Sequence, residues 1–202
     1  MKTETQEKFD KVIKEGFQEI LKPLGFKKKA NNFYLQLEEL GQIINIQKNK
    51  WSTKDEISFT INTGIFVPEY WSIVYNYQNE EIPKFPTEPT CLIRKRIGEL
   101  RKQNDTWYEL KNSTNENIII EEMKSNIIDF ILPYFENLNT KQKLLSEIES
   151  LLVSPSLSKL ITFAELNQID KAKTEYQKLL TKETNPYFLT NVREYGRKYK
   201  LE

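Results

Sequence analysis

The chain has 202 residues, of which 38% are hydrophobic, 12% are aromatic and 29% are charged, and its formal net charge is +1. The aromatic content argues against disorder along the whole chain, and the balanced charge argues against a general affinity for nucleic acid. Histidine is absent and cysteine occurs once, which removes the commonest general base and the ligands of a zinc site. We therefore predict no metal and no cofactor.

The N-terminal residues do not read as a secretory signal, because charged residues begin at Lys2 and Glu4. No apolar run approaches the roughly 18 residues that a membrane-spanning helix needs. The single cysteine also rules out a disulfide within the chain. We therefore expect a cytoplasmic protein with no membrane contact.

The first segment is predicted to be an amphipathic helix, because its apolar residues recur at intervals of three and four. These residues are Phe9, Val12, Ile13, Phe17, Ile20, Leu21 and Leu24. Thr3 or Thr5 is placed to cap the start of the helix, and Pro23 with Gly25 marks its end.

Alternation of apolar and polar residues next predicts four or five β-strands. The clearest alternation runs from Ile57 to Ile65. The other strands are Phe33 to Leu37, Ile44 to Gln47, "CLIRKRI" from Cys91 to Ile97, and "TWYEL" from Thr106 to Leu110. The lysine run Lys27 to Lys29 in "GFKKKANN" is interpreted as a solvated turn, with contact to phosphate or nucleic acid as the weaker alternative. Cys91 is interpreted as a small buried hydrophobic residue.

A long connection, Phe66 to Thr90, separates the third strand from the fourth and is rich in proline and aromatic residues. A connection of this length is usually functional or disordered, and its aromatic residues argue against disorder. Within it, "PEYWSIVYN" predicts a short helix that starts at Pro68. One interpretation is that the aromatic side chains close the open end of the core.

The remainder of the chain is predicted to be helical, beginning with a long helix from about Asn117 to Leu138 that Pro133 kinks. Further on, "LNQIDKAKTEYQKLL" followed by "NPYF" predicts one tetratricopeptide-like hairpin. The sequence thus predicts an α+β protein. Residues 1–140 form an antiparallel sheet of four to five strands packed by helices on one face. Residues 141–202 form an all-helical extension that packs on this first domain.

Several short motifs together resemble the DUF4304 family of bacterial proteins. They are "LKPLGFKKKANNFYLQ", "GQIINIQKNKWS", "FTINTGIF", "CLIRKRIGEL" and "DTWYEL", which lie between about Leu21 and Leu110. The matching positions are Gly25, Phe26, Gln47, Lys48, Asn62, Gly64, Arg94, Arg96 and Trp107. The chain carries Tyr108 where family members often have a second Trp. The family is of unknown function, so the resemblance implies neither a mechanism nor catalytic residues.

Strand parity places a group of polar residues on the sheet face that points away from the helices. The candidate binding residues are Asn45, Gln47, Thr60, Asn62, Arg94 and Arg96, together with Trp107 on the last strand. A solvated sheet face would explain such residues without any function. However, Arg94 and Arg96 point their guanidinium groups the same way, and arginine suits bidentate binding of carboxylate or phosphate.

Two classes of function fit this polar face. The first is a non-catalytic binding or interaction protein whose arginines bind an acidic ligand or an unidentified partner protein. The second is a histidine-free enzyme that acts on an anionic substrate held by Arg94 and Arg96. An internal carboxylate such as Glu38 or Glu109 is a third explanation for the two arginines. An enclosed pocket with a carboxylate of raised pKa favours the enzyme, and an open or covered face favours the binding protein.

Overall fold

A computed structural model describes residues 2–75, 80–182 and 184–202 of the chain. They form two compact units, Met1–Phe66 with Lys84–Asn139, and Val67–Pro83 with Thr140–Glu202. The described residues of Val67–Pro83 thus belong to the same unit as the C-terminal helices. Among the described residues, no helix is long and apolar enough to cross a membrane.

The first unit contains a single antiparallel sheet. Its strands are β1 (Lys27–Lys29), β2 (Asn32–Gln36), β3 (Gly41–Lys48), β4 (Glu56–Phe66), β5 (Ile93–Arg96) and β6 (Tyr108–Lys111). Strands β1 to β5 lie side by side in chain order, and β6 also pairs with β4. Because β4 has 11 residues, β5 pairs with its second half and β6 with its first half. The predicted α+β class and antiparallel sheet are confirmed, and the additional strand is β1, which the sequence indicated as a turn.

The described residues also form eight helices. Two of them are continuous helices made of three segments: α1 (Glu4–Lys11, Val12–Gln18 and Glu19–Leu21) and α4 (Glu116–Ser125, Asn126–Ile131 and Leu132–Glu136). Between them lie the short helices α2 (Pro68–Val74) and α3 (Ile97–Leu100). The last four are α5 (Lys141–Leu151), α6 (Leu157–Glu165), α7 (Ile169–Lys182) and α8 (Pro186–Tyr199). The middle segments of α1 and α4 are π-helical. The last residue of the predicted "PEYWSIVYN" helix, Asn76, lies outside the described residues.

The ends of α1 follow from its sequence. Thr3 caps the first turn, because its side-chain oxygen accepts the backbone N–H of Gln6. At the other end, Phe26 N–H donates to Leu21 O at 3.1 Å and Gly25 N–H donates to Lys22 O at 3.0 Å. This is the hydrogen-bond pattern of a Schellman cap, which needs a residue with positive φ, and Gly25 has φ 92°. The Gly-Phe pair therefore ends the helix and turns the chain into β1.

The helices of the first unit cover one face of the sheet, as the alternation predicted. Phe9 of α1 meets Phe59 of β4 edge to face, with ring centroids 5.5 Å apart. Phe17 of α1 stacks on Phe33 of β2 at 6.1 Å. Gln42 also points into this core, where its Nε2 donates to the backbone oxygen of Phe135 in α4 at 3.1 Å. The buried amide is therefore satisfied.

The segment before β5 covers part of the opposite face. Phe85 contacts Tyr34 of β2, with ring centroids 5.6 Å apart. Cys91 lies directly on Gly64, since a Cβ atom at Gly64 would come within 2.5 Å of its Sγ. Cys91 is buried, as predicted. The prediction that the strand begins at Cys91 is wrong, because β5 begins at Ile93 and a 3₁₀ turn precedes it.

The second unit is built from α2 and α5 to α8. Helices α6 and α7 lie antiparallel, and Asn167 in the turn between them has a positive φ of 60°. Lys159 and Glu175 form a buried ion pair between the two helices, with Nζ and Oε2 3.7 Å apart. Gly196 lets α8 approach α7, because a Cβ atom there would come within 2.5 Å of the Tyr176 ring.

Candidate functional site

Arg94 and Arg96 lie on the sheet face opposite the helices. Arg96 is directly opposite Asn62, and Arg94 is directly opposite Gly64. Asn62 in turn lies opposite Asn45 on β3, and Asn45 lies opposite Asn32 on β2. The register therefore builds one continuous polar row across β2, β3, β4 and β5.

Hydrogen bonds fix the orientation of the amide side chains in this row. Asn45 Nδ2 donates to Asn32 Oδ1 at 2.8 Å. Asn62 Nδ2 donates to Asn45 Oδ1 at 3.1 Å and to Gln47 Oε1 at 2.8 Å. Both Asn45 and Asn62 thus use their nitrogen as a donor toward a neighbouring amide oxygen, which leaves the Gln47 amide nitrogen pointing away from Asn62.

Two of the predicted binding residues are covered rather than accessible. Thr60 is fully buried, and its Oγ1 donates to the backbone oxygen of Thr106 at 2.8 Å. Asn62 is only 4% exposed. Both residues form the floor of the site and hold its geometry, whereas Asn45 is half-buried and Gln47 is exposed.

Arg94 binds Glu88 in a bidentate arrangement. Its Nε lies 2.6 Å from Glu88 Oε1, and its Nη2 lies 3.2 Å from Glu88 Oε2. The Glu88 side chain is only 5% exposed, whereas that of Arg94 is 53% exposed. The pair therefore holds the segment before β5 on the sheet, and it compensates a carboxylate that is otherwise shielded from water.

Arg96 belongs to a second cluster, which Trp107 completes. Its Nη1 lies 2.6 Å from Asp105 Oδ2, and Trp107 Nε1 donates to the same oxygen at 3.0 Å. The guanidinium carbon of Arg96 also lies over the Trp107 ring, 5.7 Å from its centroid. The hydrogen bond from Arg96 holds the pKa of Asp105 below its usual value. Asp105 therefore remains a carboxylate near neutral pH.

The sequence analysis named the wrong internal carboxylates. It suggested Glu38 or Glu109, whereas Glu88 and Asp105 bind the arginines. Glu109 instead lies 3.6 Å from Lys111 Nζ on its own strand. The sequence offered only a weak signal for Asp105, its position two residues before Trp107, and none for Glu88.

A cavity of about 190 Å³ opens to solvent above the polar row. It is lined by Gln47, Asn62, Glu88, Arg94, Lys95, Arg96 and Glu99. The sequence analysis did not identify Glu99 as a site residue. Its side chain accepts a hydrogen bond from the backbone N–H of Arg96 at 2.9 Å and forms an ion pair with Lys95 at 3.5 Å. Pockets for whole small molecules usually exceed about 300 Å³. This cavity therefore suits a single polar group.

The described residues define an α+β protein in which an antiparallel sheet carries a charge-balanced polar cavity on the face opposite its helices. The chain belongs to the DUF4304 family, a domain of unknown function, which matches residues 17–137. No match was found among the curated proteins or the solved structures. The matched range runs from the C-terminal part of α1 through the end of α4, so it contains both arginines of the cavity and their carboxylate partners.

Proposed function

We propose that this protein is a non-catalytic binding protein, and that the cavity beside Arg96 holds an acidic side chain of a partner protein. The observation that supports this proposal is that the cavity contains N–H groups that donate no hydrogen bond within the described residues. Arg96 engages Asp105 through Nη1, and a guanidinium group has five N–H donors. The amide nitrogen of Gln47 supplies further donors. A carboxylate is the acceptor that such a set of donors fits.

The size of the cavity favours a side chain over a free metabolite. A volume of about 190 Å³ holds a carboxylate and the carbons next to it, but not a nucleotide or a cofactor. A partner protein can supply the remaining contact area around the cavity. Interfaces of this kind commonly place a desolvated arginine at their centre.

Three observations argue for binding rather than for catalysis or nucleic-acid contact. The cavity is small and open, whereas a catalytic pocket usually encloses most of its substrate. Asp105 has a lowered pKa, whereas a general acid at neutral pH needs a raised one. Arg94, Lys95 and Arg96 each pair with a carboxylate, so the cavity offers spare donors for one acidic group but no run of unpaired cations along which a phosphate backbone could lie. We also propose a cytoplasmic location, where Cys91 stays reduced.

Side-chain NMR tests the proposal directly. Titration of the ¹⁵N-labelled protein with N-acetylglutamate amide should shift the Gln47 side-chain amide and the Arg96 Nε–H resonances in a saturable manner. N-acetylglutamine amide has the same shape without the charge, and it should leave both resonances unchanged. Arg96→Gln should abolish the glutamate response of Gln47.

The matched control is Arg193→Gln, which removes the same charge from an exposed helix position. This variant should respond like the wild-type protein. Equal shifts with the glutamine probe, or an unchanged Gln47 response in Arg96→Gln, would remove the basis for an acid-binding cavity.

A further inference from the structure

The edge of the sheet farthest from Arg96 ends in strand β1, whose residues are Lys27, Lys28 and Lys29. All three lysines are exposed, and within the described residues only β2 pairs with this strand. Backbone groups that point away from β2 are therefore open to one more strand. Lysine on an edge strand ordinarily prevents such pairing, because an uncharged neighbouring strand would cover the charges.

The charges at this edge are not balanced. Lys22, Lys27, Lys28 and Lys29, which we call the lysine corner, form no ion pair within the described part of the chain. Some lysines elsewhere form ion pairs, as Lys111 does with Glu56 at 3.0 Å, and others, such as Lys102 and Lys173, form none within the described residues; the lysine corner is distinguished by four such lysines within eight positions of the chain. The lysine corner is thus a local positive patch in a protein whose charges otherwise nearly cancel.

A cavity of about 420 Å³ lies between α1 and this edge strand. Its floor is apolar, with Phe26 at 5% exposure and Phe33 at 1% exposure. Lys28 lies opposite Phe33 in the sheet, so it projects to the cavity side. Lys27 and Lys29 lie opposite Tyr34 and Asn32, so they project to the other side of the sheet. The edge therefore offers an apolar site on one face and two cations on the other.

We propose that β1 binds an extended acidic segment of a partner protein as an added antiparallel or parallel strand. Side chains of a strand alternate between its two faces. A segment that alternates acidic and apolar residues would place carboxylates beside Lys27 and Lys29 and an apolar side chain beside Lys28, on the side of the sheet where the cavity opens. Opposite charges across neighbouring strands attract and like charges repel, so the lysines that exclude other strands select an acidic one.

The edge geometry favours a peptide over an anionic membrane surface. An added strand supplies both donors and acceptors to the open backbone groups of β1, as in other cases of strand addition. The phosphate group of a lipid supplies acceptors alone, and it does not repeat donors and acceptors at the spacing of a strand. This surface is independent of the cavity at Arg96, because β1 and β5 form opposite ends of the strand order.

Fluorescence anisotropy with a labelled hexapeptide of alternating glutamate and valine tests the proposal. The wild-type protein should bind it, and Lys27→Glu with Lys29→Glu should weaken the affinity about tenfold or more, since attraction at two positions becomes repulsion. The matched control Lys173→Glu with Lys178→Glu changes two exposed lysines of α7, and it should bind as the wild-type protein does. Arg96→Gln should also bind normally.

Two further probes identify the mode of binding. A peptide of alternating lysine and valine should not bind. The glutamate–valine peptide with an N-methyl group on every residue should lose affinity, because its charge is kept while the N–H donors of both strand edges are removed. Equal binding of the methylated peptide would overturn strand addition. Binding to phosphatidylglycerol vesicles without binding to the peptide would overturn the choice of partner.

Discussion

Arg94 and Glu88 form a two-point contact in which the carboxylate is buried and the guanidinium group is half exposed, with the shorter N–O distance at 2.6 Å. Glu88 precedes β5, and its Cγ approaches the position that a Cβ atom of Gly64 would occupy. The contact therefore ties the connection before β5 to β4 and β5. Arg94 is a structural residue, and Arg96 carries the binding proposal.

Replacing Arg94 by Gln should lower the free energy of unfolding by about 2–3 kcal/mol, because the shielded carboxylate of Glu88 loses its charged partner. Urea denaturation measures the change. Arg96→Gln is the matched control and should cost less than about 1 kcal/mol, since both members of its ion pair are substantially exposed.

The double variant Glu88→Gln with Arg94→Gln tests the cause of that loss. It should be more stable than Arg94→Gln alone, because no buried charge remains. If Arg94→Gln and Arg96→Gln unfold at the same urea concentration, Glu88 does not depend on Arg94.

Asp105 should make stability depend on pH in the acid range. Its pKa is lowered in the folded state, mainly by the hydrogen bond from Arg96. The ionised Asp105 carboxylate therefore stabilises the folded state fully above its unfolded-state pKa of about 4. This stabilisation is lost as the pH falls through the lower pKa of Asp105 in the folded state. We expect the stability difference between the wild-type protein and Asp105→Asn to shrink as the pH falls below about 4. A constant difference across this range would contradict the assignment.

Phe59→Ala should destabilise the protein by about 3–5 kcal/mol, because a fully buried ring on the central strand would leave a cavity. The ring contacts Phe9 at 5.5 Å and Tyr108 at 5.4 Å between centroids. Thermal unfolding reports the loss. The control is Ile128→Ala at a position that is 54% exposed, where the change should stay within about 0.5 kcal/mol. An unchanged melting temperature for Phe59→Ala would mean that the sheet faces are reversed.

Two substitutions around β1 should differ in their effect on stability. Gly25→Ala should cost about 1–2 kcal/mol, because φ is 92° there and the added methyl group lies 3.3 Å from Leu35 Cδ1. Ala30 has a positive φ of 51°, so Ala30→Gly should be neutral or stabilising by up to about 1 kcal/mol. Chemical denaturation of both variants provides the comparison. Destabilisation by Ala30→Gly would contradict the left-handed turn between β1 and β2.

The buried ion pair of the second unit should be more costly to break than to remove. Lys159 Nζ donates to the backbone oxygen of Leu152 at 3.0 Å, and Glu175 Oε1 accepts the backbone N–H of Ser156 at 2.9 Å. Lys159→Met leaves Glu175 charged and buried, and should cost about 3–5 kcal/mol. Adding Glu175→Gln removes the charge, so the double variant should recover part of this loss in urea unfolding followed by circular dichroism. A double variant less stable than Lys159→Met would contradict this explanation.

Local sequence patterns determined most of the elements and the direction in which their side chains point. Alternation from Ile57 to Ile65 gave the central strand, and Thr3 gave the start of the first helix. Parity alone placed Arg94 and Arg96 on one face. These features depend on residues within a few positions of each other, so they can be read directly from the chain. The strand at Lys27–Lys29 could not be predicted in this way. Its three charged residues show no alternation of apolar and polar side chains, and they form a strand only by pairing with β2.

Only the tertiary structure decided what each side chain meets. Parity indicated a solvated polar face, yet Thr60 and Asn62 are buried because the segments before β5 and β6 fold over that face. The carboxylates Glu88 and Asp105 lie in these irregular segments, where no periodic pattern fixes direction. Their positions follow from the packing of residues distant in sequence. The sequence therefore determined that two arginines share a face, and the fold determined that one of them supports the structure while the other borders an open cavity.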